Sequence, residues 1–286
     1  MTTAQFRFIN ALTAKVEADP RIRAAWLSGS YGKSTDDRWS DVDAHLLVDV
    51  GKFAEFQRDI EAWLGQIRPL VFARLMFNGR MVNAMTDEAM RLDIWLHDVE
   101  VAEVTTGETR VLYEEDGALS WLPQPGETLT PEAASEMLHR EVAEFWRCVS
   151  MMPVVVGRGE KLVGVAGNSF ILLALTNVLC AASGRRRDRG VKALNGFLLP
   201  HHRQCVEEAL LLQSKWPEEP VRFPLRLAHL MRDLGPDICA QWQVEYPQAM
   251  EESVLEYVTH ELRSLGYGSA LEELERPINA SETVVH

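Results

Sequence analysis

A chain of 286 residues, 47% hydrophobic and 25% charged, is long enough to bury one large core or two ordinary ones and has a folded protein's composition. Its formal charge of −13 opposes a nucleic-acid role, because duplex and tRNA ligands need a basic surface to displace counterions. The same balance suits a cationic small molecule. Four scattered cysteines (Cys148, Cys180, Cys205, Cys239) form no C-x-x-C pair and read as free thiols in a reducing compartment. The N-terminal residues lack the uninterrupted apolar run of a signal peptide and set Phe6, Ile9, Leu12 and Val16 at helical spacing. Together these make the cytoplasm the expected location.

The next element in chain order is a strand over residues 22–28 (IRAAWLS), ended by Gly29-Ser30. A polar connection leads to a second strand, DVDAHLLV (41–48). Side chains alternate along a strand, so Asp41, Asp43 and His45 share one face while Val42, Ala44, Leu46 and Val48 share the other. Carboxylates side by side repel each other and call for a cation between them. Hard divalent ions with oxygen ligands, magnesium above all, are the natural partner. The Gly29-Ser30 turn can bring backbone N–H groups and a hydroxyl close to a phosphate without interference from a Cβ.

A helix near 52–66 follows, then extended runs at 70–77, 80–87 and 90–98, with Asn78-Gly79 as a two-residue hairpin signal. In MRLDIWLHD the residues Leu92, Ile94 and Leu96 alternate with Asp93, Trp95 and His97, so a core face opposes a polar one. A short strand at 109–114 follows. The three prolines in WLPQPGETLTPEAA (121–134) mark a domain boundary. Helices are expected at 131–150, 160–183 and 201–214, from near 224, and at 248–265, with a polar mobile tail over 271–286. The uncharged run 162–182 is long enough to span a bilayer, but Asn168, Ser169, Thr176 and Asn177 interrupt it. It reads as a central helix buried on all sides, and no membrane association is expected. The fold class is therefore α+β, with a mixed sheet flanked by helices in domain 1–120 and a helical bundle in domain 131–270.

The arrangement of strand, Gly-Ser, ten residues and Asp-Val-Asp entering an apolar strand resembles the nucleotidyltransferase superfamily whose best-known member is DNA polymerase β. It is more similar to the antibiotic-modifying branch, the lincosamide and aminoglycoside nucleotidyltransferases. The resemblance covers roughly the first hundred residues. It implies a third carboxylate on a later strand, which Asp93 supplies, serving as metal ligand, general base or both. It implies two magnesium ions bridged by Asp41 and Asp43, with ATP as co-substrate and Gly29 and Ser30 at its β- and γ-phosphates. The implied reaction is transfer of a nucleoside monophosphate, AMP in this reading, to a hydroxyl of a small-molecule acceptor, most readily an antibiotic. Transfer to a protein or RNA end and a silent nucleotide-binding module are the alternatives. The protein would act as a monomer or homodimer.

Cations for the phosphates are sought in two places. Lys33, with Arg38, lies in the loop after Ser30, while Arg185, Arg186, Arg187, Arg189 and Lys192 concentrate positive charge in the second domain. Lys192 is the preferred member there, against a solvated helix end as the ordinary explanation. Glu141 and Glu144 are alternative proton acceptors, against an exposed i,i+3 pair. Tyr31, Trp39 and Trp95 could stack on a nucleobase or line an acceptor pocket, with plain packing the safer account of Trp95.

Overall fold

A computed structural model describes residues 3–98, 101–115, 117–123, 128–186, 194–213 and 219–277. Its contacts divide the chain into two compact units, Met1–Pro125 and Gly126–His286.

The first unit opens with helix α1 (Thr3–Ala18) and strand β1 (Ile22–Leu27), followed by a four-residue helix α2 (Gly29–Gly32) and strand β2 (Val42–Val48). Helix α3 (Phe53–Gly65) then precedes β3 (Leu70–Met76), β4 (Met81–Thr86) and β5 (Arg91–His97). After β6 (Ala102–Thr105), strand β7 (Arg110–Glu114) returns to the main sheet, and β8 (Leu119–Leu122) ends the unit. The main sheet runs β3-β4-β5-β2-β1-β7. Only its central pair, β2 with β5, is parallel; its other neighbours pair antiparallel. That parallel pair sets Asp43 directly against Asp93 and Ala44 against Ile94.

Alternation then sorts the sheet's two faces. Val42, Ala44, Leu46, Leu92, Ile94 and Leu96 are buried against Phe8, Ile9 and Leu12 of α1 and Phe56, Ile60 and Leu64 of α3. Each such side chain removed from water stabilises by about 1.5–3 kcal/mol. The other face carries Asp43, His45, Asp93 and Trp95. At its far end Ala24, Trp26 and Leu47 pack under a small parallel sheet of β6 and β8, through Ala102, Val104 and Leu119. The sequence reading contains neither β6 nor β8, since each is only four residues long.

The β3–β4 connection also differs from expectation. Met76 pairs with Met81, so the loop has four residues rather than two. Phe77, Asn78 and Gly79 all take positive φ, at 50°, 55° and 79°. Gly79 N–H closes the turn on the Met76 carbonyl at 3.0 Å. The tight bend thus starts one residue earlier than Asn-Gly signals.

The second unit comprises α4 (Pro131–Ser150), α5 (Met152–Gly157), α6 (Lys161–Ala181), α7 (Pro200–Gln213), α8 (Arg222–Gln241) and α9 (Gln248–Ser264). Helix α4 begins as its sequence dictates. Pro131 occupies the first turn and the Thr130 hydroxyl accepts from Ala133 N–H. The core gathers Phe145 and Trp146 of α4, Leu175 and Leu179 of α6, Leu230 and Met231 of α8, and Val258 and Leu262 of α9. A buried polar chain crosses it, with Trp146 Nε1 donating to the Tyr246 hydroxyl and that hydroxyl donating to Glu251.

Two expectations for this unit are corrected. Helix α6 is long and apolar enough to cross a bilayer, but it is not buried on all sides. Leu162 is 87% exposed and Phe170 61%, since the helix packs on α4, α5 and α8 without being enclosed by them. Second, the chain after Leu271 does not leave the bundle at once. A 3-10 segment, Gly268–Leu274, buries Ala270, Glu273 and Leu274. Arg226 of α8 holds the carbonyls of Arg276 and Pro277.

Candidate metal centre

The centre begins where β1 ends. Ser28 N–H donates to the Asp43 carbonyl at 3.0 Å, tying the exit of β1 to the start of β2. Gly29 then turns with φ +59°, and a Cβ on it would lie 2.1 Å from Asp43 Oδ2. Any larger residue would both strain the backbone and displace the carboxylate. Gly32 is equally constrained, since a Cβ there would sit 2.2 Å from the Glu108 carbonyl. The turn carrying Ser30 is braced by bonds from Gly32 N–H to Ser28 O and from Thr35 N–H to Ser30 O.

Asp41, Asp43 and Asp93 meet beside this turn. One carboxylate oxygen from each lies within 4.8 Å of the others, and all three residues are partly buried. The geometry follows from the parallel β2–β5 register, which places Asp43 and Asp93 side by side on the face away from α1 and α3. Antiparallel β4 adds Asn83 opposite Asp93, and Asn83 Nδ2 donates to Asp93 Oδ1 at 2.6 Å. That bond fixes one oxygen and leaves the other to point elsewhere. Sequence reading missed Asn83. The only available signal was its place in an alternating strand, and its partner lies on a different element.

A second polar group sits one side-chain step along the same strands. His45 Nε2 lies 2.9 Å from Ser28 Oγ, and His45 Nδ1 lies 2.9 Å from His97 Nε2. Burial, with His97 beside it, pushes His45 down to about 3 from its ordinary 6.5, and burial also lowers His97. Both imidazoles are neutral at pH 7, so neither adds positive charge to the carboxylates. Their rings belong to a stack in which Trp26, His45 and Trp95 lie nearly parallel, 5.0 and 6.3 Å apart.

The remaining sequence candidates lie elsewhere or are otherwise engaged. Lys33 Nζ pairs with Glu108 at 2.9 Å. Lys192, with Arg187 and Arg189, lies outside the described residues. Arg185 donates to the Gly196 carbonyl and stacks on Phe197 within the second unit. Glu141 accepts from Arg140 and Asn177. Glu144 is gripped by Arg147, whose guanidinium lowers its carboxyl below the usual range. Trp39 is 67% exposed under the Arg38 guanidinium. Tyr31 is buried, which pushes its hydroxyl up to about 12.

No family model matches the chain, and no curated protein matches it. Among solved structures it is similar to an aminoglycoside 6-adenyltransferase from Bacillus subtilis. Identity is 14% over 90% of this chain and 96% of that one, with a TM-score of 0.36. It is also similar to the CdnE cyclic dinucleotide synthase of Elizabethkingia meningoseptica, solved with GTP and Apcpp. There identity is 13% over 92% and 91% of the two chains, with a TM-score of 0.26.

Proposed function

We propose that this protein is a magnesium-dependent nucleotidyltransferase that moves AMP from ATP to a hydroxyl of a small molecule and releases pyrophosphate. The acceptor class we propose is an aminoglycoside or lincosamide antibiotic. The observation that carries the reading is the meeting of Asp41, Asp43 and Asp93 within 4.8 Å beside a turn whose Gly29 leaves no room for a Cβ against the Asp43 carboxylate.

The residues fit magnesium. All three ligand groups are carboxylates, partly open to solvent, with no thiol or imidazole among them, which suits a hard cation and not zinc. When bound, magnesium neutralises the triphosphate and lowers the pKa of an oxygen that binds it. Asp41 and Asp43 would hold the cation, and Gly29 and Ser30 would receive the β- and γ-phosphates. Lys33, on leaving Glu108, is the cation proposed for the same phosphates. Asp93 would join the metal set and accept the proton of the attacking hydroxyl, with Asn83 fixing its carboxylate. The acceptor oxygen bonds to the α-phosphorus as the bond to pyrophosphate breaks. The protein thus works by positioning and electrostatics. It would act in the cytoplasm, as a monomer or homodimer, without nucleic acid or membrane.

The test incubates the protein with labelled ATP, magnesium and a panel of aminoglycosides and lincosamides, and reads nucleotidyl adducts by mass spectrometry. An adduct that needs magnesium and disappears in Asp41→Asn supports the reading. Failure to bind ATP in magnesium, with no adduct on any acceptor, sinks it.

A further inference from the structure

Beside the carboxylates the sheet carries a row of rings with one open end. Trp95 follows Asp93 by two residues on the same face of β5, roughly 7 Å along the strand. Strand order brings His45 to one side of it and the β3–β4 loop to the other. Phe77 of that loop stacks on Trp95 at 5.4 Å with 17° between planes, and His45 lies at 6.3 Å and 13°. Both faces of Trp95 are therefore occupied. Phe77 is 60% exposed, so the row ends in an aromatic face turned to solvent.

Phe77 is an unexpected residue for its place. Its φ of +50° is a region that bulky side chains avoid at a cost, whereas asparagine and glycine adopt it readily. The loop is held firmly all the same. Arg80 makes a two-pronged pair with Asp98 at 2.5 and 3.0 Å and stacks over Phe53 of α3. Gln57 of α3 donates to the Asn78 carbonyl at 3.3 Å. A ring exposed at conformational expense on a braced loop, stacked on a tryptophan that follows Asp93 by two residues, is an arrangement suited to a ligand.

We propose that the outer face of Phe77 is the stacking subsite for the nucleobase of the co-substrate, with Trp95 as the ring that backs it. This rests on the nucleotidyltransferase reading above. A base has a π-face whatever its identity, so stacking here gives affinity with little base discrimination. The ribose would span the step between the carboxylates and the ring row.

The experiment measures calorimetric binding of two probes in magnesium, a non-hydrolysable ATP analogue and base-free tripolyphosphate. It compares the wild type with Phe77→Asn and Phe77→Trp. Asparagine suits the positive φ, so Phe77→Asn should fold at least as stably as wild type, yet bind the ATP analogue about 10-fold more weakly or worse. Tripolyphosphate affinity should be unchanged. Phe77→Trp should keep analogue affinity and show fluorescence quenching on binding. Wild-type affinity for the analogue in Phe77→Asn, with tripolyphosphate still bound, overturns the subsite and leaves the enzyme reading intact. A defect confined to the acceptor's KM assigns the ring to the acceptor and also overturns it. If neither probe binds the wild type, both proposals fall together.

Discussion

On the helix-covered face of the N-terminal sheet, Val42, Ala44, Leu46, Leu92, Ile94 and Leu96 lie in a continuous apolar core. One residue further along the same strands, the opposite face carries Asp43, His45, Asp93, Trp95 and His97. The two faces share every backbone hydrogen bond but divide the work. The apolar face pins the register, and the register brings mutually repelling carboxylates together. A slip of one residue would exchange the faces, so the core specifies the site as firmly as it specifies the fold.

Breaking the polar face alone should give the largest effect. Asp43→Asn is expected to lower nucleotidyl transfer by about 10³-fold or more, the scale for losing a main electrostatic group. In excess chelator its thermal midpoint should equal or exceed the wild type's, because a repulsion is relieved. A variant that keeps wild-type turnover at saturating magnesium would remove Asp43 from the centre. Breaking the apolar face should do the reverse. Ile94→Ala, at a fully buried position, should cost about 2–5 kcal/mol in denaturant unfolding. Activity per folded molecule should stay close to wild type, and a matching collapse of turnover would mean that the faces are not separable.

Asn83→Ala sharpens the comparison within the polar face. It frees the Asp93 oxygen that now accepts at 2.6 Å. We expect about a 10-fold loss in turnover, on the scale of one charged hydrogen bond, with nucleotide affinity little changed. Equal losses in turnover and nucleotide affinity would instead make Asn83 part of the binding surface.

A last effect concerns pH. Burial keeps His45 neutral down to about pH 3, while the unfolded chain takes up that proton near 6.5. The unfolded state thus binds more protons between those values, and stability falls as the pH drops through that window. His45→Gln removes one such site. Urea midpoints at pH 7 and pH 4.5 should fall less in the variant than in the wild type. Equal falls would show that other groups carry the dependence.

Much of this was legible in the chain because strands write their faces in period two. Asp41, Asp43 and His45 alternate with apolar residues, as does Asp93, and the structure keeps both alternations. Helix α4 also announces itself, through its Thr130-Pro131 start. Features that depend on a partner elsewhere were not legible. Asn83 matters because β4 lies beside β5, and Lys33 is paired with a Glu108 that lies 75 positions further along the chain. Helix α6 looks uniformly apolar, and no local pattern tells which side its neighbours will cover. The packing of Leu274 likewise needs α8 to be in place.

The pairing of β2 with β5 also bears on how the molecule forms. Asp43 and Asp93 are fifty positions apart in the chain and become neighbours only through this parallel contact. The β3–β4 hairpin and α3 can close over short distances, while the central pair must wait for a long loop to close. The acidic centre is therefore expected to form late, with its own repulsion opposing the step that creates it. On the magnesium reading proposed above, a cation that recognises only the finished sheet would act as a latch on the native state and not as a template for folding. In stopped-flow chevrons, magnesium should slow the unfolding limb and leave the refolding limb where it was. A refolding limb accelerated by magnesium would show that the carboxylates meet before the rate-limiting step.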